Sequence, residues 1–186
     1  MADLTDIPWD AFPNDADPQD RVSANFKFYE LTRSNTATRH GIDNSFPNEE
    51  TLQAGVYVCR HILQRVRDAF GPYSPNRVFR SQALERALKN KPSDWVSKSQ
   101  HTRGQACDIE VPSATNRALA EWVIDNLAFD QIILECYNPA LGPNSGWVHV
   151  SVLPPGMGTN RAEILSYIMN EATRKYEYVN GLQDSL

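Results

Sequence analysis

The chain has 186 residues, 41% of them apolar and 22% charged, the proportions of a globular protein with enough length to bury a core. Its formal net charge of −5, with basic residues scattered rather than gathered, argues against a nucleic-acid role. No apolar run approaches the length of a membrane span, and the acidic start MADLTDIPWDAFPNDADPQD lacks the basic and apolar stretches of a signal peptide. The expectation is a chain made in a cytoplasm without its own export signal, with no membrane and no nucleic-acid partner.

Residues 1–22 carry six Asp and three Pro with little periodicity, and read as an acidic extended arm ahead of a domain over residues 23–186. Trp9 and Phe12 leave that arm a way to dock on a partner. Residues 49–70 form the clearest predicted helix, with Leu52, Val56, Cys59, Leu63, Val66 and Phe70 on one stripe. Asn48 can cap its start and Gly71-Pro72 ends it. His61 falls off the stripe and reads as structural or exposed, and His40 sits in a glycine-containing loop with no other ligand signal. RVFRS (77–81) reads as a short strand running into a helix from about Ser81.

The polar stretch 90–104 reads as loop, GQACDIEV (104–111) as a strand and 116–127 as a helix. FDQIILEC (129–136) and GWVHVSV (146–152) read as two more strands. Their short connection predicts an antiparallel pair, and residues 160–177 are expected to close the chain as a helix. Cys59, Cys107 and Cys136 are odd in number and lack CxxC spacing, so they read as reduced thiols. These elements predict an α+β domain: a small antiparallel sheet with helices on one face and a cleft on the other.

Alternation sorts the strand side chains. Asp108 falls with Ala106 and Glu110, His149 with Trp147 and Ser151, and Glu135 with Gln131 and Ile133, each away from the more apolar face of its strand. Two imidazoles and a carboxylate, His101, Asp108 and His149, are a donor set suited to a catalytic zinc that keeps a fourth position for water. Gly104 would let the loop turn so that His101 folds back toward Asp108. Taken singly, His101 also fits a polar loop residue and His149 a satisfied sheet histidine, and spacing alone leaves both readings open.

SQHTRGQACD (99–108) fills every fixed position of the SxHxxGxAxD motif of the zinc D-Ala-D-Ala carboxypeptidases and phage endolysin peptidases, which it resembles. WVHVS resembles their second metal motif, VFRSQALE their YRSxxLN element, and the segment from Asn160 to Leu182 their C-terminal tail. The likeness covers residues 26–182 and is strongest to compact single-domain members of phages and bacteria, with a Hedgehog-type fold.

The resemblance implies zinc ligands at His101, Asp108 and His149 and a substrate-contacting arginine at Arg80. Many members place a glutamate three residues before the last histidine, where this chain has Gly146. Hedgehog-type relatives place one at the end of the preceding strand, which points to Glu135 as general base. Trp147 stands where some relatives have another histidine and is expected to wall the cleft. The implied activity is zinc-dependent hydrolysis of bonds beside D-amino acids in the stem peptide of peptidoglycan. The implied setting is phage or prophage lysis, at the wall or periplasm or carried in a virion, where the arm could hold a neighbouring protein. Two rival expectations keep the fold: a virion structural protein, with or without catalysis, and a regulatory zinc-binding domain.

Overall fold

The computed structural model describes residues 1–170 and 172–184. The chain divides into two compact units, one of Met1–Arg65 with Arg77–Cys107, the other of Val66–Asn76 with the chain from Asp108 onward.

In the first unit, helix α1 (Asn35–His40) is capped by Ser34 and closed by Gly41 in the left-handed conformation. Helix α2 (Glu49–Val58) begins where Asn48 Oδ1 accepts the Thr51 N–H. It runs without a break through a π turn at Cys59–Leu63 into α3 (Gln64–Phe70). The predicted stripe is buried at Leu52, Val56, Cys59, Leu63 and Val66. The π turn, which periodicity did not reveal, carries Arg60, whose guanidinium donates to the carbonyls of Val22, Leu4 and Ile7. Residues 1–22 therefore fold back on their own chain: Phe12 is buried beneath Arg60, and Trp9 packs edge-on against Tyr57. His61 stacks on Tyr57, with ring centroids 3.7 Å apart.

Residues 77–81 do not form the expected strand. Their backbone groups are satisfied piecemeal: Phe79 N donates to Leu31 O, Arg80 N to His101 O, and the Asn44 side chain bonds both Phe79 O and Ser81 N. With partners on three segments, no single neighbouring strand is needed to pair them. Ser81 then caps α4 (Gln82–Lys89) by accepting the Leu84 N–H.

The second unit is built on a sheet in the order β1-β3-β2-β4-β5, which β1 enters across the boundary between units. Its strands are β1 (Ala106–Ile109), β2 (Gln131–Glu135), β3 (Trp147–Ser151), β4 (Glu163–Asn170) and β5 (Lys175–Asn180). β2 and β3 are antiparallel as expected, but β2 and β4 are parallel, so the sheet is mixed rather than antiparallel. Helix α5 (Asn116–Asn126), capped by Thr115, packs on β2 and β3. Its Leu119, Ala120 and Val123 are buried, as are Ile132, Leu134, Val148 and Val150 of the apolar strand face.

The expected closing helix at 160–177 is instead the β4–β5 hairpin. Residues 172–174 lie in its turn, where Asn170 Oδ1 accepts the Ala172 and Thr173 N–H groups and Arg174 takes a positive φ. Arg161 grips the buried Asp130 carboxylate through Nε and Nη2, delivering the chain to β2 as β4 begins. β4 thereby covers what would have been an exposed edge of β2. Among the described residues, no helix is long and apolar enough to cross a membrane.

Candidate metal centre

Gly104 sets the position of His101. It closes the single 3-10 turn Gln100–Arg103 with φ +70°, and a Cβ there would lie 2.2 Å from the Thr51 carbonyl oxygen. No other residue fits so close an approach in that conformation. The His101 ring is buried, and its Nδ1 lies 2.7 Å from the Val78 carbonyl oxygen. A carbonyl can only accept, so Nδ1 carries the proton and the lone pair belongs to Nε2. This is how a carbonyl fixes the tautomer of a metal-binding imidazole. The irregular path of residues 77–81 thus has a use: it aims a backbone oxygen at the ring.

Asp108 in β1 and His149 in β3 are both buried and face each other, with Oδ1 and Nδ1 3.1 Å apart. Two ligands of one tetrahedral zinc at ordinary bond lengths would be separated by about 3.3 Å. His101, Asp108 and His149 each offer one ligand atom, and these atoms all lie within 4.8 Å of one another. Two imidazoles and a carboxylate, gathered in a buried setting with one ring oriented by a carbonyl, fit a divalent metal. Zinc would complete the set with water in its fourth position.

Glu135 ends β2 and is half-buried. Its strand partner is Trp147, and that of Ile133 is His149, so Glu135, Trp147 and His149 occupy one face of the sheet. The alternation read from the sequence therefore holds through the register. Gly146 stands where the resemblance would place a glutamate, and it has no room for one. Its φ is +70°, and a Cβ would lie 1.9 Å from the Glu135 carbonyl oxygen and 2.7 Å from the Cys136 carbonyl carbon. The tight β2–β3 closure excludes any side chain there while placing a carboxylate on the facing strand.

Arg80 lies at the end of the irregular segment. Its backbone N–H donates to His101 O, and its Nη1 is 3.0 Å from Glu85 Oε1. Glu85 is fully buried and also binds Lys89 Nζ and Ser97 Oγ. Burial alone would raise the Glu85 pKa, but the bonds from Lys89 and Ser97 and the Arg80 charge outweigh it and hold the carboxyl below its usual range.

Cys59, Cys107 and Cys136 form no disulfides, and burial pushes the Cys59 thiol up to about 12, where it is inert. Two features escaped the sequence reading. The Val78 carbonyl carries no side-chain signal at all. The Trp147 indole N–H is buried without an acceptor among the described residues, on the face shared with Glu135, and its strand partner shows only in the register.

No curated protein and no solved structure matches the chain. The family model of peptidase M15 matches residues 24–151, a span that begins after the acidic arm, ends with β3 and contains all three members of the buried His-Asp-His group. With that match over most of its length, the chain belongs to the peptidase M15 family, a family of metallopeptidases.

Proposed function

We propose that this protein is a zinc-dependent peptidase that cuts peptide bonds next to D-amino acids in peptidoglycan, of the kind phages and prophages use to open the cell wall. The observation that carries the reading is the buried His101, Asp108 and His149 group within a metallopeptidase family span. The likeness of SQHTRGQACD and WVHVS to compact phage and bacterial wall peptidases supports the substrate. The site of action is then the wall or periplasm.

In this reading the three side chains hold the metal, which when bound acidifies a water and polarises the scissile carbonyl. Glu135 is the general base. It takes a proton from the attacking water onto its carboxylate and returns it to the leaving amine. Arg80 binds a substrate carboxylate, and Glu85, 3.0 Å from its Nη1, holds the guanidinium near the centre as an ion pair. Val78 holds the His101 tautomer throughout.

The test is incubation of the purified protein with isolated peptidoglycan, with zinc or with chelator, and identification of released fragments by mass spectrometry. Metal-dependent release of peptides ending at a D-residue is expected. Glu135→Gln should lower the rate by about 10²–10⁴-fold while zinc binding is kept. A wild-type protein that binds zinc and releases nothing overturns the reading in favour of a non-catalytic role.

A further inference from the structure

The sheet face that carries His149 continues beyond the family-matched residues. The strand registers set Trp147, Glu135, Tyr167 and Tyr178 opposite one another in one row across β3, β2, β4 and β5. Directly opposed residues share a face. Two positions further along that face, Met169 of β4 opposes Tyr176 of β5. The three tyrosines form a cluster: Tyr167 stacks on Tyr176 with centroids 5.3 Å apart and lies 4.6 Å from Tyr178.

This cluster is not a core. Tyr176 is 44% exposed and Tyr178 59% exposed, on the outermost strand of the sheet. Solvent-facing edge strands ordinarily carry charge on such positions, and adjacent exposed aromatic rings mark a contact surface. The surface begins beside Glu135, whose carboxylate, after burial itself, helps push the Tyr178 phenol pKa upward.

We propose that Tyr167, Tyr176 and Tyr178 form a sugar-binding subsite that seats a pyranose ring of the glycan strand next to the peptide held at Glu135. This rests on the wall-peptidase reading above. The chemistry of the shelf selects its occupant. A pyranose presents a flat face of C–H groups that stacks on aromatic rings, while its hydroxyls need acceptors and donors at the rim. Phenol hydroxyls, Glu135 and Asn180 supply them on the same face.

Charge points the same way. The carboxylates that β2 and β4 place on this face are Glu135 and Glu163, the latter paired with Arg161, and β2–β5 place no Lys or Arg there. Strands β2–β5 thus offer an acidic stem peptide no cation on this face, and a neutral N-acetylated sugar needs none. Two strand spacings separate β2 from β5, about 10 Å, which an extended peptide covers in about three residues. The bond cut should therefore lie within about three residues of the sugar.

The full-length zinc-loaded protein should be compared on a disaccharide-linked stem peptide and on the same peptide without sugars. A kcat/KM about tenfold higher for the sugar-linked form is expected, about 1.4 kcal/mol of binding. The double variant Tyr176→Ala/Tyr178→Ala should lose that preference, keep its rate on the sugar-free peptide and keep its melting midpoint. Equal rates in the wild type, or a preference that survives in the variant, overturn the proposal. Titration of metal-free protein with an N-acetylglucosamine tetramer, followed by NMR, decides the subsite apart from catalysis. Saturable binding that the double variant loses is expected, and no binding to the wild type overturns it. Should the wild type cut neither peptide, the peptidase reading falls and this titration still decides the shelf.

Discussion

Gly146 leaves no room for a carboxylate at its own position. A left-handed residue other than glycine costs about 1–2 kcal/mol for its backbone alone. Here the added Cβ would also sit 1.9 Å from the Glu135 carbonyl oxygen, inside any allowed contact. Since Cys136 also takes a positive φ, the two strands are pinned together at a point where neither can give easily. Gly146→Ala should therefore destabilise the protein by about 3 kcal/mol or more, read as a lower midpoint in chemical denaturation. Installing a carboxylate at this position, as Gly146→Glu, should cost at least as much. It should also fail to restore activity to Glu135→Gln, because a chain closed this tightly has no room for a side chain there. Recovery of wall hydrolysis in that double variant would remove Glu135 from the mechanism and return the role to position 146.

At the scale of elements, α4 does more than follow a turn: it carries Glu85, the buried acid that binds Arg80, Lys89 and Ser97. Its pKa in the folded protein lies below the usual value, so the unfolded chain binds this proton more readily. Stability from Glu85 is present above the unfolded value, about 4.3, and is lost as pH falls through the folded one. Glu85→Gln should lower the midpoint of unfolding at pH 7, and the gap between variant and wild type should narrow as the buffer is taken below about pH 4. A gap that stays constant from pH 7 to pH 3 would show that shape, not charge, makes Glu85 necessary. Neither this network nor the π turn was legible in the sequence, since both depend on residues that meet only after folding. The helices at 49–70, 82–89 and 116–126 were legible because capping residues and apolar spacing are local signals. The strands carrying Asp108, Glu135 and His149 were legible for the same reason, through alternation. The segment at 160–177 was misread because its turn is rich in helix formers, and its strand identity comes from pairing with β2, thirty-two residues earlier. Residues 77–81 read as a short strand, yet their partners are side chains and scattered carbonyls. Even so, His101 and Asp108 were legible together, because a motif with glycine four residues before its final aspartate records the turn as well as the ligand candidates, and His149 was legible from the alternation of its strand.

For the whole molecule the consequence of the centre is thermodynamic. His101, Asp108 and His149 are drawn from positions spread over 49 residues of sequence, and unfolding scatters them. A metal that binds the native arrangement and not the dispersed side chains stabilises the fold in proportion to the logarithm of its free concentration, by about 2.7 kcal/mol at one hundred times Kd. In a chain of this length each kcal/mol is worth about 2–4 °C. Saturating zinc should accordingly raise the melting midpoint by about 5–10 °C over protein held in chelator. The same titration separates the roles of the residues. His149→Ala, which removes one of the three candidate ligands, should abolish the zinc-dependent shift. Glu135→Gln, which removes the proposed base and leaves the donor set whole, should keep it. A shift of equal size in all three proteins would mean that zinc binds elsewhere, and a shift lost in Glu135→Gln would make Glu135 a ligand rather than a base. The experiment needs no substrate, so it tests the centre independently of which wall bond is cut.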